Sequence, residues 1–155
     1  MKPIIDKYLG YSLIFILAFM TLDVLWGVFT RYALGHQADW TEELARFLLI
    51  WIGILGAAYA SGQRMHLAID LLPSKLSPQR QRRMRQAIAL FILFFAFAVM
   101  IIGGVRLVYI TQILQQHSAA LQIPMAVVYA VIPISGLLII YYQLHLVGHA
   151  RFTHS

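Results

Sequence analysis

Long apolar stretches alternate with short polar ones along this chain, and four of the apolar stretches reach membrane-spanning length. The hydrocarbon core of a bilayer is about 30 Å thick, so a crossing helix takes roughly 20 mainly apolar residues. Residues 8–30 meet that requirement, broken only by Asp23. Residues 41–62 form a second span, of which Phe47–Ala60 is apolar throughout. Residues 87–110 form a third, with one charge at Arg106, and residues 125–147 a fourth with no formal charge. The pattern predicts an all-α, polytopic membrane protein with four transmembrane helices, arranged as a single membrane domain over residues 1–155.

Local signals set expected boundaries. Gly35 permits a turn after the first span. Trp40 suits an interfacial belt, Thr41 is placed to cap the second helix, and Glu42 and Glu43 fall in its first turn, where the helix dipole favours anions. Gly53, Gly56, Ala57 and Ala60 recur at i, i+3, i+4 and i+7, a nearly smooth face that lets another helix backbone come close. After Ser61 the pattern turns amphipathic: Leu67, Leu71 and Leu72 share a face, His66 and Asp70 stand four apart, and Pro73 ends the segment. Ser77-Pro78 reads as a cap followed by a first helical residue. A helix from there to about Ile110 would be about 50 Å long, so it protrudes or tilts. Pro133, inside the fourth span, predicts a kink or an unpaired carbonyl.

Composition removes the soluble alternatives. Apolar residues make up 61% of the chain and charged residues 12%, against roughly 25% charged in ordinary soluble domains. The first apolar run is too long for a signal peptide and reads as a retained helix. Without cysteine the chain has no disulfide or thiolate chemistry. Positive charge concentrates between the second and third spans, in a basic loop over about residues 63–86, with Arg80, Arg82, Arg83 and Arg85 at its end. Lysine- and arginine-rich loops stay cytoplasmic, so both termini and this loop are expected inside. The arginine cluster is expected to meet anionic phospholipid headgroups. No aromatic interleaving supports nucleic-acid binding.

Charges within spans are costly and usually face a partner or a wet cavity. With the first helix rising outward, Asp23 lies roughly 10 Å below its outer end, Arg46 about 9 Å deep and Arg106 about 6 Å deep. Together with Glu42 and Glu43 they form one layer near the outer face. They either pair among themselves and with a partner subunit, fixing helix register, or hold a proton, ion or substrate. Of the histidines, His145 and His149 stand four apart at the inner end of the fourth span, with His66 at a comparable depth. A bis-histidine haem needs imidazoles facing each other from different helices, so a haem-bearing membrane anchor of an oxidoreductase stays an alternative, beside a self-sufficient multidrug/proton antiporter using Asp23. No metal site or other cofactor is expected, and no phosphate loop or nucleophile turn supports an enzyme.

The segment Trp40-Thr41-Glu42-Glu43-Leu44-Ala45-Arg46, followed by Trp51, Leu55-Gly56-Ala57-Ala58 and His66-x-x-Ile69-Asp70, resembles the small membrane subunit of tripartite ATP-independent periplasmic (TRAP) transporters. Ser118-x-x-Leu121-x-Ile123-Pro124, Tyr129 and Pro133 extend the resemblance over essentially the whole chain. It implies a subunit of the bacterial inner membrane that scaffolds a large polytopic transport subunit. That partner would take up an organic acid, such as a carboxylate or sialic acid, delivered by a periplasmic solute-binding protein and driven by an ion gradient, usually sodium. By the same resemblance Trp40, Glu42, Glu43 and Arg46 organise the outer face or touch a partner, and His66 and Asp70 organise the inner face.

Overall fold

A computed structural model describes residues 2–63 and 78–152, all of whose regular structure is helical. Helix α1 covers Lys2–Ala33 and α2 covers Asp39–Gly62. Helix α3 covers Pro78–Phe95 and runs directly into a π-helical segment, Ala96–Gly103, and then into α4, Gly104–Ile113. The last span is split into α5, Met125–Tyr129, and α6, Val131–Phe152. Among the described residues, four stretches are long and apolar enough to cross a membrane: Ile4–Ala33, Asp39–Gly62, Gln86–Ile113 and Met125–His145.

Several boundaries differ from the sequence reading for local reasons. Helix α2 begins at Asp39 rather than after Thr41, with Ala38 as its extended flanking residue. Thr41 instead donates its hydroxyl to the Ala38 carbonyl at 2.7 Å and is buried. Gly35 takes φ +78°, the left-handed turn expected of it. Pro78 does open α3, and the third span continues to Ile113, beyond Ile110. The π segment, bonded i→i+5, had no signal in the apolar pattern, because a run of apolar residues reads alike in either register. Pro133 lies in the first turn of α6 rather than mid-helix; the break falls at Ala130, so its missing N–H is cheaply tolerated. His66, Asp70, Leu67, Leu71, Leu72, Pro73 and Ser77 lie outside the described residues.

The spans do not close into a ring. Helix α1 packs on α2, α2 on α6, and α6 on the third span, giving the spatial order first, second, fourth, third. The fourth span is therefore central and the first and third are edges. The shared core contains Leu9, Leu55, Val131 and Tyr142. Glycines allow the closest approaches. A Cβ at Gly62 would sit 2.6 Å from the Tyr142 ring, one at Gly136 2.9 Å from Met100 Cβ, and one at Gly104 2.9 Å from Pro133 Cδ. On the opposite side of the row, α1 carries exposed Tyr8, Tyr11, Phe15, Leu25 and Trp26.

Candidate functional site

The best-organised polar structure lies at the end of the molecule that carries the loop between Ile113 and Met125. Glu43, in the second turn of α2, points at this loop and accepts three backbone hydrogen bonds. The N–H of Ala119 donates to Oε1 at 3.0 Å, and those of Ala120 and Leu121 to Oε2 at 2.9 and 2.8 Å. Three converging N–H groups suit an ionised carboxylate, because charge-assisted bonds of this kind are stronger than neutral ones. The loop is tightly folded in its own right: Ser118 N–H donates to the Ile123 carbonyl at 2.9 Å and Met125 N–H to that of Gln116 at 2.9 Å. Gln115 and Gln122 adopt positive φ to make the bends. Glu43 thus joins the two stretches that the sequence singled out far apart, Trp40–Arg46 and Ser118–Pro124.

Beside it, Glu42 and Arg46 pair across one helical turn at 3.0 Å, both well exposed. Asp39, Glu42, Glu43, Arg46, Ala119 and Ala120 line an open groove of about 400 Å³. An exposed i,i+4 pair contributes little to stability, so its weight is in shaping this surface. Trp40 stands exposed at the start of α2.

Asp23 behaves differently from its expected neighbours. It is 5% exposed, the one charged side chain buried among the described residues, and neither carboxylate oxygen has a hydrogen-bond partner. One turn toward the loop, Gly27 lets α1 close on α2, since a Cβ there would lie 2.9 Å from Thr41 Oγ1. In antiparallel register, that contact places Asp23 level with Ala45. Arg46 is turned outward onto Glu42, and Arg106 is exposed on the far edge span. The charges do not form one network: the structure brings Glu42 to Arg46 and Glu43 to the loop, and leaves Asp23 and Arg106 apart.

Among the described residues, the small-residue face of α2 is left largely open. A Cβ at Gly53 or Gly56 would find open space, and Ala57 is exposed and Ala60 half-buried. The residues of α2 that pack inside are Leu55, Ala58, Ser61 and Gly62. At the opposite end of the molecule the Tyr142 hydroxyl donates to Asp6 Oδ1 at 2.6 Å, and Gln143 Nε2 to the Ser61 hydroxyl at 3.2 Å. Sequence reasoning missed Asp6, Tyr142 and Gln143; a polar Tyr-Gln pair inside an apolar run was the available signal. Arg80, Arg82, Arg83 and Arg85 fall in the first turns of α3, with Arg80 and Arg83 exposed. His145 lies beside Tyr141. Among the described residues no group of histidine and acidic side chains could hold a metal.

Comparison with known proteins covers most of this structure. The family model "Tripartite ATP-independent periplasmic transporters, DctQ component" matches residues 20–151. A protein described as a TRAP transporter small permease from Haemophilus influenzae is 38% identical over 74 residues, 48% of this chain and 46% of that one. The isethionate TRAP transporter permease protein DctMQ of Oleidesulfovibrio alaskensis is 31% identical over 141 residues, 90% of this chain but 22% of its own length. The sialic acid TRAP transporter small permease protein SiaQ of Vibrio cholerae is 25% identical over 88 residues, 57% and 51% of the two chains. The matches thus span about half or less of each relative's length.

Proposed function

The chain belongs to the DctQ component family of TRAP transporters, multi-pass proteins of the bacterial inner membrane that are transporter subunits and not enzymes, and we propose that it scaffolds a large polytopic transport subunit. That partner would take up an organic anion delivered by a periplasmic solute-binding protein and driven by an ion gradient, with sodium as the coupling ion. The observation that carries this reading is how little of the chain is organised for transport by itself. Its one buried charge among the described residues, Asp23, is sealed from solvent and has no polar neighbour bonded to it. Meanwhile its edge spans and the smooth face of α2 are left uncovered.

Three further points support it. The relative named DctMQ aligns with nearly all of this chain through less than a quarter of its own length, as expected where a larger permease portion accompanies the small one. Relatives named for isethionate and sialic acid point to a small organic anion as solute. The basic stretch before the third span orients the chain with that end cytoplasmic, so the Glu43-held loop faces the periplasm and the whole chain acts as one membrane domain. In this assembly Gly53, Gly56, Ala57 and Ala60 seat a helix of the large subunit. Trp40, Glu42 and Arg46 shape the periplasmic surface, and Arg80, Arg82, Arg83 and Arg85 meet anionic headgroups.

The test is a mild-detergent pull-down of the tagged chain from its native membrane, with partners identified by mass spectrometry. One large polytopic protein at a fixed ratio is the expected result. Recovery of the chain alone as a homodimer, with solute export abolished by Asp23→Asn, would overturn the reading in favour of a self-sufficient antiporter.

A further inference from the structure

Among the described residues, the charges that the sequence placed in one outer layer have different surroundings. Asp23 is enclosed, Glu42 and Arg46 pair, and Glu43 holds the loop. Arg106 is exposed on the edge span, roughly 10 Å along the helix from its end at Ile113, and no described residue bonds or pairs with its guanidinium. An arginine at such a depth in hydrocarbon is expensive unless an anion reaches it or its stem carries the head group toward the interface. Arg106 also borders a shallow, open groove of about 460 Å³ along one face of this helix, lined almost wholly by apolar atoms of Ile101, Ile102, Val105, Tyr109 and the arginine itself.

The order of these residues along the helix is informative. Ile101 and Ile102 lie deepest, Val105 and Arg106 follow one turn on, and Tyr109 lies one turn nearer the interface, 64% exposed. Apolar wall, cation and hydroxyl donor are stacked in the order of an acyl chain, a phosphate and a headgroup. We propose that this groove on the third span binds one glycerophospholipid from the leaflet on the side of the 114–124 loop, its phosphodiester on Arg106 and Tyr109 and an acyl chain along Ile101, Ile102 and Val105. Charge complementarity selects this occupant: the arginine stem can carry its head group toward the interface, where guanidinium binds phosphate bidentately. The site is distinct from the arginine cluster of α3, which lies at the opposite end of the same span. The proposal rests on the chain's place in the membrane and not on its partner subunit.

The experiment is native mass spectrometry of the full-length chain released from nanodiscs containing phosphatidylethanolamine and phosphatidylglycerol. Wild type is compared with Arg106→Gln, Arg106→Lys and Val105→Trp. The expected result is one retained phospholipid per wild-type chain, lost in Arg106→Gln, partly kept in Arg106→Lys and displaced in Val105→Trp, whose cation is intact. Circular dichroism confirms that each variant keeps its helices. Retention of both lipids by headgroup-independent contact assigns the phosphodiester, and retention of phosphatidylglycerol alone adds a need for net negative charge; both support the site. Equal lipid counts in all four proteins would overturn it. So would loss of the large subunit on Arg106→Gln with lipid retention unchanged, since that result assigns Arg106 to a carboxylate of the partner.

Discussion

The central and edge spans of this molecule have similar compositions and different surroundings. In the fourth span 33% of the most apolar window is buried within the chain, and in the third only 11%, although the third is the more hydrophobic of the two. In a membrane, hydrophobicity does not drive helices together, because lipid tails are as apolar as leucine; close packing and hydrogen bonds do. The fourth span holds the centre because Gly136 admits Met100 and Ile101, and Tyr142 fits over Gly62 and bonds Asp6. The third span, with exposed Phe91, Phe94 and Phe97, has bulk where the fourth has hollows. Position in the row follows local shape and not apolarity.

Filling a central hollow should have the largest effect. Gly136→Leu would push a side chain against Met100 and the Ala96 carbonyl, a backbone atom that cannot swing away. We expect a loss of about 1–3 kcal/mol or outright failure to fold, read by unfolding in mixed micelles. Glu43→Ala comes next: the Ala119, Ala120 and Leu121 amides lose their acceptor, and hydrogen exchange there should accelerate while the spans stay protected. Tyr142→Phe removes one hydrogen bond at the other end, costing about 1 kcal/mol and loosening the start of α1, visible as faster exchange around Asp6. Gly53→Leu should be smallest for the isolated chain, within about 0.5 kcal/mol, because a Cβ there finds no described atom within 4 Å. The same variant should lose the large subunit in a pull-down. If Gly53→Leu instead destabilises the isolated chain as much as Gly136→Leu, the contrast between open and filled glycines fails.

The apolar pattern showed the number of spans, their approximate limits and the turn at Gly35, because these depend on length and local conformation alone. It could not show which helix neighbours which. Gly53 and Gly56 had the better small-residue spacing, yet the glycines that pack are Gly27, Gly62, Gly104 and Gly136, each set by the side chain opposite it. Spacing reports only one side of a contact. The pairing of the charged residues was not legible: Arg46 takes the glutamate one turn away on its own helix, leaving Asp23 without the expected cation. Glu43 was recognisable as important through its motif, while its partners, being backbone amides, carry no side-chain identity to read.

Glu43 also sets an order of events during synthesis. Its three donors lie 76 to 78 residues later in the chain, so the second helix is made well before anything can satisfy that carboxylate. At about 5–20 residues per second, the interval is roughly 4–15 seconds. Throughout it the nascent protein holds a solvated anion at the membrane surface, and only emergence of the loop before the last span lets the acid close on it. The last turn of biogenesis therefore locks an early one, and a chain truncated before residue 119 would insert its helices with that lock left open.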